Sequence, residues 1–378
     1  MKTRTTFILS LTAIITLAAG SAFGAYSGGT GEPNNPYQIA DVNDLLALAA
    51  EANDYGKCFI LTTDIDMEGQ VFAKAIIAAN TRSDSFFEGP VFAGTFDGKG
   101  YRVTHFTING GTGSHLGLFG YIGSSGSIKN LGLENCAVSG CYYVGDLAGS
   151  SDGSISNCYS TGMASGSSDS YYIGGLVGNS HGSMSNCSST GTVSGSSSVG
   201  GLVGVSADSI SNCYSTGTVS GSLEVGGLVG YNMFGSISNC YSTAAVSGAS
   251  VGGLVGFNVG RVICCYSTGA VSGTTHTGGL VGYNLYSYGN VIGSFWDTQT
   301  SGRTTSDGGI GKTTAQMKTL STFTSARWDF VETWGIGNGQ TYPYLKPLTG
   351  FNPADLNYSG TVDFADFAIL VSHWLEGI

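Results

Sequence analysis

The stretch 174–178, Gly-Gly-Leu-Val-Gly (GGLVG), decides the fold of this chain because it recurs at a constant interval. Its five copies are spaced 26 residues apart and end at Gly178, Gly204, Gly230, Gly256 and Gly282. Two looser copies precede them, LGLFG ending at residue 120 and GDLAG ending at residue 149. A fixed period of this length indicates a stacked array of short repeats rather than a single-core globular domain.

Each repeat contains three short apolar patches separated by glycine and serine. In the repeat from Gly178 to Gly204 the patches are GGLV, S-M-S-N-C and T-V-S-G. No patch is long enough for a helix, so we predict an all-β fold: a right-handed parallel β-helix with three short strands in each coil of about 26 residues. Successive coils of such a solenoid stack about 4.8 Å apart. One residue from each patch forms the predicted core: Leu118, Leu147, Leu176, Leu202, Leu228, Leu254 and Leu280 from the first; Leu133, Ile155, Met184, Ile210, Ile237, Val262 and Val291 from the second; Val138, Ala164, Val193, Val219, Val246 and Val271 from the third.

The dipeptide Asn-Cys recurs in the second patch, at 135–136, 157–158, 186–187, 212–213 and 239–240. Ile and Cys three positions apart share a face only if the strand bends between them, so the Asn is the predicted corner in a left-handed conformation. The Cys then points inward as a small apolar residue. Buried free thiols are the favoured interpretation of this row, and disulfides between neighbouring coils are the alternative.

Tyrosine follows cysteine in four repeats and is predicted to face outward. One interpretation is a stack of rings that supports the outer surface, and the other is a flat strip that binds sugar rings. The candidate binding residues are Tyr159, Tyr214, Tyr241 and Tyr266.

The N-terminal residues 1–24 match a secretory signal peptide: Lys2 and Arg4 precede the apolar run 7–19 and a small-residue cleavage site before residue 25. No later segment reaches about 18 apolar residues, so no membrane span is expected in the mature chain. A net charge of −11 with only 14 Lys and Arg disfavours nucleic acid or anionic membranes as partners. The expected location is secreted, extracellular or at the cell surface.

Residues 25–115 are predicted to form an N-terminal cap and the first coils. Asp41–Asn53 has the pattern of a short helix, with Asp41 or Asn43 as its N-cap and Leu45, Leu46 and Ala49 on one face. The sequence FDGKGYRV at 96–103 is typical of a hairpin-like turn between strands. This region resembles the N-terminal cap of bacterial parallel β-helices, in which a helix covers the first open rung.

The G-L-V-G units with flanking I-S-N-C-Y-S-T-G resemble the GLUG-motif repeats of bacterial secreted and surface proteins. The resemblance covers about 28–345, because FWDTQTSG at 295–302 and GKTTAQM at 311–317 are similar to the closing segment of such proteins. It implies a repeat solenoid over 116–296 and a C-terminal capping segment over 297–345. It also implies an adhesin-like role without catalysis, since the family occurs beside IgA-specific metallopeptidases and in adhesin-like proteins.

A linker is predicted at 346–353, and the segment 354–378 after it contains a calcium-loop pattern, DLNYSGTVDFAD at 355–366. Ca²⁺ takes six to eight oxygen ligands around a sharp turn, which Gly360 permits. An Asx-rich turn before a helix is the alternative interpretation. The predicted Ca²⁺ ligands are Asp355, Asn357, Ser359, Asp363 and Asp366 through side chains and Thr361 through its carbonyl.

The calcium loop and the amphipathic pattern after it resemble one dockerin calcium repeat, with Asp366 rather than Glu at the last position. The resemblance implies a cohesin-like scaffold as partner. Dockerins carry two such repeats and this chain has one, so a sorting or attachment tag is the other reading.

Charged residues are sparse in the repeats, and no catalytic motif such as H-E-x-x-H or G-x-S-x-G occurs. We therefore expect a non-catalytic structural or adhesive solenoid that binds a cell-surface glycan or protein. A dockerin-tethered accessory module of polysaccharide degradation is the alternative, and a glycan-cleaving enzyme comes third. Between residues 131 and 300 the charged residues are Glu134, Asp146, Asp152, Asp169, Asp208, Glu224, Arg261 and Asp297.

Overall fold

The computed structural model of the chain describes residues 26–82, 84–285 and 289–346. The predicted signal peptide at 1–24 and the predicted calcium segment at 354–378 lie outside the described residues, as does most of the predicted linker. The described chain winds into a parallel β-solenoid in which four long sheets run along the axis. This confirms the predicted all-β parallel solenoid.

The four sheets are numbered here by the order in which a coil visits them. Sheet I contains Tyr37–Ile39, Cys58–Leu61, Thr95–Asp97, Ser127–Lys129, Ser154–Ser156, Met184–Ser185, Ile210–Ser211, Ser236–Ser238, Arg261–Ile263 and Asn290–Ile292. Sheet II contains Ile65–Asp66, Arg102–Thr104, Gly132–Glu134, Tyr159–Ser160, Ser188–Ser189, Tyr214–Ser215, Tyr241–Ser242, Tyr266–Ser267, Phe295–Asp297 and Ile310–Lys312.

The other two sheets complete each coil. Sheet III contains Val71–Phe72, Thr107–Asn109, Ser114–Leu116, Ala137–Val144, Met163–Gly174, Thr192–Ser194, Ser197–Gly200, Thr218–Ser220, Leu223–Gly226, Ala245–Ser247, Val251–Gly252, Val271–Ser272 and Thr277–Gly278. Sheet IV contains Phe119–Ile122, Ala148–Ser151, Val177–Ser180, Val203–Ser206, Val229–Asn232, Val255–Asn258 and Val281–Asn284.

Each regular coil has five strands, so the predicted number of three is wrong. The coil that begins at Met184–Ser185 continues through Ser188–Ser189, Thr192–Ser194, Ser197–Gly200 and Val203–Ser206. The second patch divides into two strands at the Asn-Cys corner. The GGLVG motif is itself a corner, because its Gly-Leu pair forms a bend between a sheet III strand and a sheet IV strand.

The predicted inward residues form the core, with one correction at the first coil. The seven predicted leucines of the first patch are fully buried, and the valines of the third patch pair in register. Each such side chain contributes roughly 1.5–3 kcal/mol when fully buried. In the second patch, however, Ile128 is the partner of Ile155, whereas Leu133 pairs with Ser160 in sheet II. The assignment of Leu133 to the second patch was therefore wrong.

The predicted Asn corner is confirmed. Asn157, Asn186, Asn212 and Asn239 have φ between 52° and 55°, in the left-handed region. Asparagine tolerates this conformation better than most residues. Cys264, with φ 52°, takes the same position in a later coil.

The row of cysteines inside the coils consists of free, buried thiols, as favoured from the sequence. The backbone N–H of Cys187 donates to Sγ of Cys213 over 3.3 Å, and this contact recurs one coil later between Cys213 and Cys240 at 3.4 Å. Burial raises the pKa of the Cys240 thiol well above its usual value. Cys136 is not part of this row. In its coil the corner residue is Asn130, and Leu131 after it occupies the position that cysteine holds in the later coils.

The N-terminal end is covered by the helix Val42–Ala50 and the 3₁₀ turn Ala52–Asp54. The Asp41 side chain accepts from the N–H of Asp44, as expected of an N-cap. Leu45 and Leu48 are the fully buried apolar residues of this helix, whereas the predicted Leu46 and Ala49 are half-buried.

The predicted hairpin at 96–103 is wrong. Its flanking strands Thr95–Asp97 and Arg102–Thr104 belong to sheets I and II, so the turn is a corner of a coil.

The C-terminal end is closed by the helices Thr314–Met317 and Leu320–Thr324 and by an antiparallel pair, Trp334–Gly335 with Tyr344–Leu345. These elements enclose a separate apolar cluster, called the end cluster here. No helix in 26–82, 84–285 or 289–346 is long and apolar enough to cross a membrane. The buried members of the end cluster are Tyr266, Phe295, Met317, Phe323, Trp328 and Trp334.

Candidate ligand-binding surfaces

The tyrosines of sheet II form a stack along the outside of the coils. Tyr214 and Tyr241 have ring centroids 5.0 Å apart and planes 5° apart, and Tyr241 and Tyr266 are related in the same way at 5.1 Å and 7°. Parallel pairing in register places equivalent side chains one above the other, which explains the near-parallel rings. The inward neighbours of these tyrosines are buried serines, so the rings face outward, as expected.

The two ends of this row differ from its middle. Tyr266 is only 2% exposed, because the end cluster covers it and its hydroxyl donates to the carbonyl of Pro343 over 2.6 Å. At the other end Ser188 separates Tyr159 from Tyr214, and the Tyr159 hydroxyl donates to Glu134 over 2.6 Å. The four predicted tyrosines therefore do not form one continuous accessible strip, and a binding role for the row stays a prediction.

The predicted calcium ligands from Asp355 to Asp366 lie outside the described residues, so the Ca²⁺ site also stays a prediction. Within the described ranges, no group of three or more His, Cys, Asp and Glu residues is arranged to hold a metal ion.

A second aromatic surface, not found from the sequence, lies on sheet IV near the N-terminal end. It is a cavity of about 590 Å³, called the aromatic groove here. The groove is lined by the loop residues Ser85, Phe86, Phe87 and Val91, by His115, Tyr121, Gly123, Ser124 and Tyr143, and by Ser150, Asp152 and Asn179.

Rings surround the groove in close contact. His115 lies 4.4 Å from Tyr143, and Phe87 lies 4.8 Å from Tyr121 and 5.2 Å from His115, all between centroids. Tyr172 continues the stack one coil further, 5.0 Å from Tyr143. Aromatic pairs at these separations stabilise one another beyond the area that they bury.

The backbone explains why these rings lie together. His115, Tyr143 and Tyr172 have φ of 56°, 55° and 66°, and each occupies the equivalent left-handed position within its sheet III strand. Ser198 and Glu224 take the same conformation at the equivalent positions of the next two coils, so it is a property of the repeat.

The loop over the groove is held by the buried Asn80. Its side-chain NH₂ donates to the carbonyl of Phe86 and to the Ser114 hydroxyl, both over 2.9 Å. Its side-chain oxygen accepts from the N–H groups of Arg82 and Glu88. One amide thus joins three points of the loop to Ser114 of sheet III, while the Phe86 side chain remains 73% exposed.

Polar groups lie beside the rings. The Tyr121 hydroxyl donates to Asp152 over 3.0 Å, and burial together with this bond raises the pKa of Tyr121 to about 12. The ring of His181 lies 3.8 Å from the other oxygen of the same carboxylate. Burial lowers the pKa of His115 to about 4, so its imidazole is neutral at physiological pH.

The groove floor contains the hydroxyl of Ser150, which has no hydrogen-bond partner among the described residues. Ser150 is 2% exposed and pairs with Tyr121 on one side and Asn179 on the other. A buried polar group without a partner is uncommon, because it costs roughly 1–3 kcal/mol.

The same coil contains a fully buried carboxyl group, that of Asp146, at the bend between its sheet III and sheet IV strands. The Ser160 hydroxyl donates to one of its oxygens, and the other oxygen has no partner in the described part of the chain. Burial raises the pKa of Asp146 to about 7. The register places Asp146 opposite Gly175, so this side chain stands where the next coil has the glycine of its GGLVG motif.

The sequence contained a weak signal for the groove in the Tyr-Tyr pairs at 142–143 and 171–172, which occupy equivalent positions in two coils. Nothing in the pattern showed that the irregular residues 80–82 and 84–91 fold back over them.

This architecture defines a class, the parallel β-solenoids built from short coils, and three of the repeats match a known motif. The GLUG motif matches residues 169–194, 195–220 and 221–247. These ranges confirm the predicted GLUG repeats over 169–247.

Two relatives share part of the sequence. The chain is 32% identical over 155 residues to halomucin of Haloquadratum walsbyi, a match that covers 39% of this chain and 2% of halomucin. It is 33% identical over 139 residues to a "Putative Gly-rich membrane protein" of Evansella cellulosilytica, covering 35% of this chain and 15% of that protein. The chain thus matches a small part of each relative.

A solved structure shares the fold. The crystal structure of a "putative immunoglobulin A1 protease" from Bacteroides ovatus superposes with a TM-score of 0.60 and 22% identity. The match covers 85% of this chain and 96% of that one. At this identity the likeness concerns the fold alone.

Proposed function

We propose that this protein is an extracellular, non-catalytic β-solenoid with a structural or adhesive role, which binds glycan or protein ligands on its outer faces. The observation that carries the proposal is the in-register stacking of coils. Equivalent residues of successive coils pair in register along each sheet. Outward side chains such as Tyr214 and Tyr241 therefore form rows along the axis. Rows of this kind suit an extended or repetitive ligand.

The acidic residues of the described coils support binding rather than catalysis. Asp146 and Asp297 are fully buried, and the carboxylate of Asp152 already accepts from Tyr121. An extracellular location rests on the signal-peptide pattern at 1–24 and on the names of the relatives, a mucin and a membrane protein.

The C-terminal segment supplies a calcium-dependent attachment or interaction motif in this proposal. Asp355, Asp363 and Asp366 would balance the charge of one Ca²⁺. In the full-length chain, Tb³⁺ luminescence should rise on titration, and the double variant Asp355→Ala/Asp366→Ala should lose that rise. Equal luminescence from both chains would refute the site.

A second candidate, a dockerin-tethered accessory module of polysaccharide degradation, rests on the same loop and on the apolar positions Phe367, Leu370 and Trp374 that follow it. Calcium-dependent capture of a cohesin-like scaffold by the full chain would favour it. Capture that persists in the double calcium-loop variant would count against it.

Binding itself is tested by incubating the secreted chain with arrays of glycans and of extracellular proteins, in calcium and in EDTA. We expect solenoid binding to survive EDTA, because the outer rows contain no predicted calcium ligand. Release of reducing sugars from polysaccharides would replace the proposal with an enzymatic function, and the absence of binding on both arrays would contradict it.

A further inference from the structure

We propose that the aromatic groove is a carbohydrate-binding site that takes a neutral oligosaccharide. The inference rests on the proposed binding function and adds to it the place and the ligand class. The groove volume of about 590 Å³ falls within the range of roughly 300–1,000 Å³ typical of small-molecule sites.

The rings provide the apolar part of the recognition. Phe86 is 73% exposed at the mouth of the groove, and Phe87 and Tyr143 line it. A pyranose ring presents C–H groups on its faces, and these pack against the electron-rich face of an aromatic ring. An exposed phenylalanine held by an anchored loop is suited to this contact, because the loop pays little additional ordering cost on binding.

The polar groups of the groove provide directional hydrogen bonds for ligand recognition. Asp152 and Asn179 are planar groups that can bridge neighbouring hydroxyls of one sugar. The Ser150 hydroxyl, buried and without a partner among the described residues, is a further hydrogen-bonding group at the groove floor. A ligand hydroxyl reaching it would satisfy a group that is otherwise costly to bury.

The charges select against other ligands. No lysine or arginine occurs among the described residues that line the groove, and His115 is neutral at physiological pH. The carboxylate of Asp152 would repel uronates, sulfated sugars and phosphates. Val91 is the one aliphatic side chain in the described lining, so the groove offers a lipid chain little aliphatic surface to pack against.

The test is calorimetric titration of the full-length protein with cellohexaose, xylohexaose and mannohexaose as neutral probes and hexagalacturonate as the anionic probe. We expect at least one neutral probe to bind and hexagalacturonate to bind more weakly. The variants are Phe86→Ala, which removes an exposed ring, and Asp152→Asn, which keeps the shape. Phe234→Ala is the matched control, because Phe234 is 68% exposed and lies outside the groove lining.

The Phe86→Ala change should weaken binding of the neutral probe about three- to tenfold, and Phe234→Ala should leave it unchanged. Binding that is lost in Tyr214→Ala but kept in Phe86→Ala and Asp152→Asn would overturn the groove assignment and leave the proposed function standing. A preference for hexagalacturonate, or binding to proteins without binding to any sugar, would overturn the ligand class. If neither sugars nor proteins bind, the proposed function falls as well.

Discussion

Two aspartates toward opposite ends of the solenoid, Asp146 and Asp297, are each completely buried, yet their carboxyl groups behave in opposite ways. Asp146, at the bend between sheets III and IV, receives one side-chain bond from Ser160, and its pKa is raised to about 7 by burial. Asp297, at the end cluster, is equally buried. Burial acts to raise its pKa as well, but hydrogen bonds to the ionised form outweigh burial and lower it.

Asp297 also has more hydrogen-bond donors than Asp146. The N–H groups of Gln299 and Thr300 donate to one oxygen of Asp297, and the hydroxyls of Thr314 and Tyr342 donate to the other over 2.7 Å. These bonds join the last coil to the closing segment. The comparison teaches that burial alone does not set the charge of a carboxyl group; the donors around it do.

The aromatic residues at the two ends of the solenoid also differ, in how far they are exposed. At the C-terminal end the rings are covered and serve stability, whereas at the N-terminal end Phe86 remains exposed. The following changes test this contrast, from the largest expected effect to the smallest.

Trp334→Ala should lower the free energy of unfolding by about 3–5 kcal/mol, because it removes a fully buried indole from the end cluster. Urea denaturation followed by circular dichroism measures the change. Phe86→Ala at the open end is the comparison and should shift stability by less than about 0.5 kcal/mol. Equal losses at both ends would contradict the contrast between covered and open rings.

Asp146→Asn should make the protein more stable than the natural chain above pH 7. The folded pKa of Asp146, about 7, lies above its ordinary value of 3.8, so its stabilising contribution is complete below pH 3.8 and is lost as pH rises through 7. The loss is on the order of 4 kcal/mol. Unfolding at pH 5 and pH 8.5 measures the part of this loss that falls between those values, on the order of 3 kcal/mol.

The control for this change is Asp208→Asn, which removes one exposed carboxylate and leaves the buried Asp146 in place. The same pH response in both variants would show that net charge, rather than the buried group, is responsible.

Asp297→Asn should act in the opposite direction on pH. Because the folded pKa of Asp297 is lowered, its contribution is present above the unfolded pKa and is lost as pH falls through the folded pKa. The variant should lose about 1–3 kcal/mol at pH 7 through weakened bonds to Thr314 and Tyr342, and its stability should fall less steeply in acid. If the free energy of unfolding of the variant falls as steeply in acid as that of the natural chain, Asp297 does not have this role.

Asn239→Ala should cost about 1–2 kcal/mol, because alanine at φ 52° is strained. Asn239→Gly should cost much less, as glycine adopts this conformation freely and already occupies the equivalent corner of the last coil at Gly293. Thermal unfolding of the two variants side by side measures the difference. Similar melting temperatures would show that the amide, rather than the backbone, matters at this corner.

Part of the fold could be predicted because it depends on local spacing. In the GGLVG coils the Leu of the motif recurs every 26 residues, and the Val of the third patch recurs every 25 to 27 residues. Apolar positions that recur in this way are buried together in one continuous core. The Asn corner could be predicted because Ile and Cys three apart must bend to share the interior. The strand number could not, because corners and strands have the same glycine- and serine-rich composition.

A buried polar row was also missed. Asn232 donates to the side-chain oxygen of Asn258, and Asn258 donates to Asn284, each over 2.7 Å. These residues follow GGLVG at a fixed distance, but a polar residue after an apolar motif does not show from sequence which side of the coil it faces.

The sequence by itself determined the repeat, the parallel stacking, the inward Leu, Val and Cys, and the left-handed Asn corner. Each of these follows from residue spacing and from backbone preferences that act over a few positions. Only the tertiary structure decided that Tyr266 is covered while Phe86 is open, and that Asp146 and Asp297 have opposite pKa shifts. Those outcomes depend on irregular segments folding over the ends of the solenoid, where contacts join residues far apart in the chain.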